Sequence, residues 1–299
     1  MIEAKNVTMR FDKFTAVNHL NCRIPDGCIY GLVGSNGAGK STFLRLAAGV
    51  YHPAEGQVEV DGEGVWESPA VKDKIVYVPD ELYFLPQSNM NKMAKYYRTI
   101  YRRFNMERYR KLTETFRLDP TANFNTFSKG MRRQAATVLA LSAMPQYLFF
   151  DETFDGLDPV MRNLVKQVIY TDVVERKTTT IITSHSLREL EDTCDQLALL
   201  HKGGIVFESD IQDLKTALFK VQTAFAEPFG KEKFEGVEML TYHQMGSVAT
   251  FIVRGDREET RQKIQGMNPL LLDVLPLSLE EVFVYEMEAL GYAFHDVEL

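Results

Sequence analysis

A glycine-rich segment at residues 34–42, Gly-Ser-Asn-Gly-Ala-Gly-Lys-Ser-Thr, constrains this chain more than any other feature. It fits the pattern G-x-x-x-x-G-K-[ST], in which glycines let the backbone curl so that successive N–H groups point at phosphate oxygens. An apolar run of strand length, Cys28–Val33, precedes it, and apolar residues at helical spacing follow it. The sequence therefore predicts a phosphate-binding loop between a strand and a helix.

Every residue of this loop is a candidate nucleotide-binding residue: Gly34, Ser35, Asn36, Gly37, Ala38, Gly39, Lys40, Ser41 and Thr42. Lys40 is also a candidate catalytic residue, because the lysine of this pattern reaches the β- and γ-phosphates. Ser41 is a candidate Mg²⁺ ligand through its hydroxyl. A helix starting near Gly39 would direct its positive end at the same anion.

The composition is that of a globular protein, with 45% hydrophobic and 25% charged residues in 299. This length allows one large domain or two modest ones. A net charge of −7 argues against a nucleic-acid partner, since no basic stripe dominates. Residues 97–117 are locally basic and aromatic, which fits a solvated helix face or a protein docking surface.

Cysteine usage and hydropathy bear on where the protein works. Cys22, Cys28 and Cys194 have neither disulfide-framework nor zinc-ligand spacing, so we expect reduced thiols in the cytoplasm. No apolar stretch is long enough to span a bilayer, and the first residues lack a secretory apolar region. If the protein works at a membrane, we expect another chain to supply the span.

Strands and helices alternate along most of the chain, which predicts a parallel sheet covered by helices. A helical insertion is predicted from about Met90 to Leu118, between β-rich pieces. We expect a first domain at 1–215, with a helical subdomain at about 83–143, and a small α+β accessory domain at 216–299. In its last helix, Ser278 and Glu281 have capping-box spacing. An apolar stripe there comprises Leu279, Val282, Phe283, Met287 and Leu290. The tail domain fits a regulatory or dimerising module as well as an accessory layer.

Further motifs follow the loop in a fixed order. Ser128-Lys129-Gly130 opens a helix, Asp151-Glu152 ends the apolar strand Tyr147–Phe150, Gly156-Leu157-Asp158 comes next, and His185 follows a β-branched strand. This order resembles the ATP-binding cassette (ABC) family, the nucleotide-binding domain of transporters, over residues 1 to about 210.

The resemblance implies an α/β fold, the P-loop NTPase ABC cassette. Its parts are a RecA-like parallel-sheet core, an antiparallel β subdomain and a helical subdomain. A small α+β C-terminal domain follows the cassette here.

The resemblance also implies roles for single residues. Asp151 would hold Mg²⁺ through water, and Glu152 would be the catalytic base that polarises the attacking water. His185 would contact the γ-phosphate and steady the glutamate and the water.

Other implied roles concern the nucleotide. Phe11 stands where the family stacks an aromatic ring on adenine, although a core phenylalanine is an equal alternative. Ser128 and Gly130 would contact the γ-phosphate of ATP held by the opposite subunit. Asp158, in the D-loop, would couple the two sites across a dimer.

Two departures from the family pattern stand out. Asp80 occupies the place of the Q-loop glutamine, and since a carboxylate oxygen can bind Mg²⁺ we expect it to be a metal ligand. The family signature, usually Leu-Ser-Gly-Gly-Gln, here has Phe127, Lys129 and Met131 at three places. Lys129 adds a cation that suits a phosphate. The Ser-Lys-Gly-Met variant resembles bacterial exporters that handle antibiotics and peptides.

We therefore expect an ATP-hydrolysing subunit of an ABC membrane transporter that uses ATP and Mg²⁺. The resemblance implies a nucleotide-sandwich dimer, with itself or a related ATPase, bound to a separate polytopic membrane permease at the inner face of the cell membrane. The stretch 83–104 would dock that permease, and no nucleic acid is expected.

Other functions stay open at this point. Residues 279–283, Leu-Glu-Glu-Val-Phe, resemble the tail of exporters, but an importer is an alternative. So is a soluble ABC-type ATPase acting on the ribosome or DNA. A P-loop GTPase or kinase is disfavoured, because the sequence has no Asn-Lys-x-Asp guanine-binding motif.

Overall fold

The computed structural model of the chain describes residues 1–289. The chain forms two compact units, residues 1–208 and the part that begins at Ser209. Across the described residues, no helix combines the length and the apolar character needed to cross a bilayer. Cys22, Cys28 and Cys194 are all free thiols.

The first unit contains elements of both kinds, and its last strand extends two residues past its boundary. In chain order they are β1 (Ile2–Phe11), β2 (Phe14–Ile24), β3 (Ile29–Val33), α1 (Lys40–Ala47), β4 (Glu55–Val60), β5 (Glu63–Gly64), α2 (Pro69–Lys72), β6 (Ile75–Val78), α3 (Met90–Ile100), α4 (Met106–Thr115), a 3₁₀ turn (Phe124–Thr126), α5 (Lys129–Ser142), β7 (Tyr147–Phe150), α6 (Pro159–Arg176), β8 (Thr179–Ser184), α7 (Leu187–Glu191), β9 (Gln196–His201) and β10 (Gly204–Asp210).

The strands of this unit form two sheets. The antiparallel sheet has the order β2-β1-β4-β5, and the second sheet has the order β10-β9-β3-β8-β7-β6. In the second sheet β3 pairs in parallel with β8 and β9, and β7 pairs in parallel with β8 and β6. Every residue of β3, β7 and β8 is buried, as expected for strands covered on both faces.

The predicted helical insertion is present and consists of two helices. α3 ends at Ile100 and α4 begins at Met106. The side chain of Asn105 explains the break, because its Oδ1 accepts the N–H of Arg108 and so caps the new helix. Asn89 caps α3 in the same way through the N–H of Lys92.

The second unit is an α+β structure around one four-stranded sheet. Its elements are α8 (Ile211–Ala217), β11 (Leu218–Ala224), a 3₁₀ turn (Lys231–Phe234), β12 (Met239–Met245), β13 (Val248–Arg254), α9 (Arg257–Gln265), β14 (Leu271–Pro276) and α10 (Leu279–Ala289). The strand order is β12-β13-β11-β14. The core of the sheet includes Phe219, Phe234, Phe251 and Ile264.

Most elements of this unit follow the sequence pattern, but α8 and β12 do not. Both are short and mix polar with apolar residues, so periodicity gave no signal for them. The predicted capping box is confirmed: Ser278 Oγ accepts the N–H of Glu281, and Glu281 Oε2 accepts the N–H of Ser278 at 2.9 Å. Leu290, the last residue of the predicted apolar stripe, lies outside the described residues.

Candidate functional site

The strand order of the parallel sheet gathers four loops at one edge. β3, β8, β7 and β6 lie side by side in register, with Val33 opposite Ser184 and Val78 opposite Phe150. Their carboxyl ends lead into the glycine-rich loop, His185, Asp151-Glu152 and Asp80, respectively. In parallel sheets this edge is the usual place for a ligand site.

Two glycines of the loop have no room for a side chain. A Cβ on Gly34 would lie 2.4 Å from the carbonyl oxygen of Leu200, and a Cβ on Gly39 would lie 2.4 Å from that of Ala16. Gly39 also has φ = 110° and stands at the N-cap of α1, which begins at Lys40. The loop therefore approaches its neighbours at backbone distance and leads directly into a helix N-terminus.

Lys40 is a buried cation with oxygen partners on its own loop. Its Nζ donates to the carbonyl oxygen of Gly34 at 2.6 Å and to that of Ser35 at 3.3 Å. It also lies 3.3 Å from Glu152 Oε1. The ammonium is thus held at the loop by acceptors that a phosphate oxygen could replace.

Asp151 is fully buried and accepts three hydroxyl groups. Its Oδ1 accepts Ser41 Oγ at 2.9 Å and Thr183 Oγ1 at 2.8 Å, and its Oδ2 accepts the Tyr77 hydroxyl at 3.0 Å. Burial raises the pKa of Tyr77 well above its usual value, and the negative charge of Asp151 raises it further. The Tyr77 hydroxyl therefore stays protonated and donates a hydrogen bond at neutral pH.

The oxygens of Ser41 and Asp151 suit a hard cation such as Mg²⁺. No group of three or more His, Cys, Asp or Glu side chains within residues 1–289 could hold a metal by itself. These two residues therefore fit a Mg²⁺ ion that takes further ligands from water and phosphate.

Glu152 has a backbone conformation that is rare for its residue type. Its φ is 50°, in the left-handed region, and its N–H donates to Thr183 Oγ1 at 3.0 Å. The carboxylate lies between two partners, since Oε1 faces Lys40 and Oε2 is 3.1 Å from His185 Nδ1. Such local strain is concentrated at functional sites.

The start of α5 contains the signature residues. Ser128 is the N-cap, and its Oγ accepts the N–H of Met131 at 3.2 Å, which leaves its hydroxyl proton free to donate. A Cβ on Gly130 would lie 3.0 Å from the carbonyl oxygen of Gly156. Lys129 Nζ lies 2.8 Å from Asp155 Oδ2. The signature therefore packs against the loop that precedes α6.

Asp158 has a structural partner of its own. Its Oδ1 accepts the N–H groups of Val160 and Met161, each at 3.0 Å, and so caps α6, in which Pro159 is the first residue. The D-loop carboxylate is therefore bound to a helix terminus.

A cavity of about 230 Å³ lies over the glycine-rich loop. Its lining residues are Phe14, Ala16, Asn36, Gly37, Ala38, Gly39, Lys40, Ser41, Thr42, Asp80 and Glu152. The predicted site residues that are not among its lining residues are Phe11, Gly34, Ser35, Ser128, Gly130, Asp151, Asp158 and His185. Phe11 instead packs edge-on against Tyr51, with ring centroids 5.5 Å apart.

Four residues of this region carried no signal in the sequence. Thr183 and Tyr77 read as strand residues, because β-branched and aromatic side chains are common in buried strands. Phe14 reads as one more apolar residue of β2. Arg133, on α5, donates to Asp80. Only the contacts in the fold distinguish these residues from their neighbours.

Comparisons with known proteins agree with this geometry. Residues 17–155 match the family model described as ABC transporter. The ABC transporter ATP-binding protein YtrB of Bacillus subtilis is 30% identical over 285 residues, 95% of this chain and 97% of that protein. The bacitracin transport ATP-binding protein BcrA of Bacillus licheniformis is 28% identical over 72% of this chain and 71% of that protein.

The same fold occurs in a solved dimeric ATP-binding cassette, MJ0796, in a post-hydrolysis state with ADP and phosphate bound. The TM-score is 0.64 at 20% identity, and the match covers 71% of this chain and 99% of that one. The match shows the cassette fold for the part of the chain that it covers.

Thr183 gives the first testable prediction. Thr183→Val keeps the shape of the side chain but leaves Asp151 and the N–H of Glu152 each without one partner, so we expect a loss of about 1–3 kcal/mol in the free energy of unfolding. We also expect slower ATP hydrolysis. Urea unfolding and a phosphate-release assay measure the two effects.

Thr180→Val is the matched control on the same strand. Thr180 is equally buried, but its Oγ1 has no hydrogen-bond partner within the described residues. We expect this change to be neutral or stabilising. Equal losses in both variants would contradict a special role for Thr183.

Proposed function

Because this chain belongs to the ABC transporter family of ATP-binding proteins, we propose that it powers the export of a peptide or antibiotic-like substrate. The chain is an ATP-binding and ATP-hydrolysing transporter subunit. The export direction is supported by the Ser-Lys-Gly-Met signature and by the similarity to BcrA, a bacitracin transport protein. An importer and a soluble ATPase acting on ribosomes or DNA are the weaker alternatives.

The arrangement of Lys40, Glu152 and His185 at the glycine-rich loop is the observation that supports this function most directly. Lys40 would exchange its loop carbonyls for β- and γ-phosphate oxygens. Glu152 would then accept a hydrogen bond from the attacking water, and His185 would donate one to the γ-phosphate. Water would attack the γ-phosphorus in line with the bond to the β–γ bridging oxygen and give its proton to Glu152, and that bond would break to release ADP and leave inorganic phosphate.

Mg²⁺, when bound, would neutralise charge that develops between the β- and γ-phosphates. Ser41 and Asp151 would hold it, with Thr183 and Tyr77 keeping the carboxylate of Asp151 in place. Asp80 lines the same cavity and is our third candidate ligand.

We propose that a second cassette, identical or related, completes the site. Ser128 and Gly130 lie at the N-terminus of a fourteen-residue helix but outside the cavity of their own chain. Such a helix terminus suits an anion held by another subunit. Asp158, at the start of α6, would lie near the same interface.

We further propose that the chain has two domains, with the boundary before Ser209 rather than at the expected 215/216, which falls inside α8. We also propose a place at the inner face of the cell membrane beside a polytopic permease. A groove of about 510 Å³, mostly apolar but also lined by Lys72, Asp73 and Arg102, fits one of its helices. The groove includes Val50, Ile75, Tyr77, Ile100 and Tyr101. Val50 and Ile100 are exposed, although they are large and apolar.

Glu152→Gln tests the hydrolytic mechanism. The substitution removes the carboxylate that would act as the general base but keeps the shape of the side chain. We therefore expect ATP binding to persist while the rate of ATP hydrolysis falls by about 100-fold or more. With ATP the variant should accumulate as a dimer, measured by light scattering during gel filtration. Glu175→Gln, an exposed change on α6, is the control. Full-rate hydrolysis by a strictly monomeric protein would contradict the shared site.

Substitutions at Phe11 and Phe14 test how the adenine ring of ATP is held. The two residues pair directly across the β1–β2 turn, so their side chains lie on the same face of the hairpin, and Phe14 lines the cavity. We expect alanine at either position to weaken ATP binding by about 5- to 150-fold, from a stacking energy of about 1–3 kcal/mol. Inorganic tripolyphosphate, which has no base, should bind equally to all variants. Unchanged ATP affinity in either alanine variant would remove that ring from the role.

Ile100 tests the docking groove. Ile100→Asp places a charge on its apolar wall, and we expect a permease partner co-expressed with this chain to be lost from co-purification while basal ATP hydrolysis is unchanged. Val174→Asp, on an exposed apolar residue of α6, is the matched control. Equal recovery of the permease with both variants would exclude the groove as the docking site.

A further inference from the structure

Arg133 is a buried cation on the signature helix with one short carboxylate contact. Its side chain is 2% exposed, and its Nη2 lies 2.5 Å from Asp80 Oδ1 and 3.6 Å from Asp155 Oδ2. Nε and Nη1 are buried and make no hydrogen bond to any described residue. The position of this guanidinium therefore depends on Asp80 more than on any other group.

Asp80 contacts Arg133 and also lines the phosphate cavity. It follows β6 and Pro79, its side chain is 51% exposed, and it lines the cavity over the glycine-rich loop together with Lys40 and Glu152. A free carboxylate at this place would repel the phosphates of a nucleotide. Paired with Arg133, the same carboxylate has its charge balanced.

The pair is also connected to the start of α5. Asp155, the second carboxylate near Arg133, forms an ion pair with Lys129, the residue after Ser128. A change at Asp80 can therefore reach the signature through Arg133, Asp155 and Lys129. All of these groups belong to the first unit of the chain.

We propose that Arg133 is a positioning residue that neutralises and places Asp80, and so links the phosphate cavity to the signature helix. Without nucleotide, Asp80 bonds to Arg133. With ATP and Mg²⁺ bound, Asp80 would offer an oxygen ligand to the metal, and Arg133 would then lose its short partner. This inference rests on the proposed nucleotide site.

If the Asp80–Arg133 ion pair had only a structural role, a different experimental result would be expected. If the pair only fastens α5 to the loop after β6, removing either partner should have the same effect on nucleotide binding. If Arg133 neutralises Asp80, the two changes should act in opposite directions. Loss of Arg133 exposes the phosphates to an unbalanced charge, and loss of the Asp80 charge removes that repulsion.

The test is the affinity of the full chain for a fluorescent ATP analogue, measured in EDTA and again with Mg²⁺. In EDTA we expect Arg133→Gln to bind about tenfold more weakly than the wild type. Asp80→Asn should bind as tightly or more tightly, and the double variant should resemble Asp80→Asn. The gain in affinity on adding Mg²⁺ should be smaller in Asp80→Asn than in the wild type.

Two controls keep the test clear. Glu81→Gln removes a neighbouring carboxylate of the same loop and should change the affinity in EDTA by less than about threefold. If the Arg133→Gln variant does not fold, Arg133→Lys replaces it in the test, because lysine keeps the positive charge. We expect Arg133→Lys to bind the ATP analogue in EDTA within about threefold of the wild-type affinity. Thermal melting of every variant identifies loss of structure.

Two outcomes would overturn the inference. One is weaker binding in EDTA by both Asp80→Asn and Arg133→Gln, and the other is a double variant that combines two independent losses. Failure of the wild-type chain to bind the analogue at all would instead overturn the proposed function. The two failures are therefore distinguishable.

Discussion

The buried carboxylate of Asp151 is the interaction on which the site depends. An ionised group without solvent is costly unless hydrogen bonds replace its hydration. Here Ser41, Thr183 and Tyr77 supply three of them, and they come from α1, β8 and β6. Asp151 itself follows β7. One carboxylate thus fixes the relative positions of four elements, and its oxygens stay ordered beside the phosphate loop.

Charge balance organises the rest of the site. Lys40 is buried and lies between its own loop carbonyls and Glu152, while His185 lies on the other side of that glutamate. Glu152 is held in a left-handed backbone conformation by the bond from its N–H to Thr183. The carboxylate is thus placed before any substrate binds, as the proposed role of Glu152 as general base requires.

The departures from the family pattern acquire a physical meaning in the fold. From the sequence, Asp80 could be interpreted only as a substitute metal ligand. In the structure the same carboxylate pairs with Arg133 on the signature helix, so its charge is balanced by a side chain far away in sequence. Phe14, which pairs with Phe11 across the β1–β2 turn, is the ring that lines the cavity, and the adenine-stacking role of Phe11 stays a prediction beside the alternative of a packing role.

The sequence by itself predicted the fold class, the identity of the loop and the order of most elements, though not α8 and β12, because these follow from local periodicity and from motifs a few residues long. It also predicted the capping box of α10, which is a contact over three residues. Only the tertiary structure decided the strand order β3-β8-β7-β6, the hydroxyl groups around Asp151, and the partner of Asp80. Those contacts join residues 32 to 110 positions apart, and no local pattern encodes which distant side chains meet.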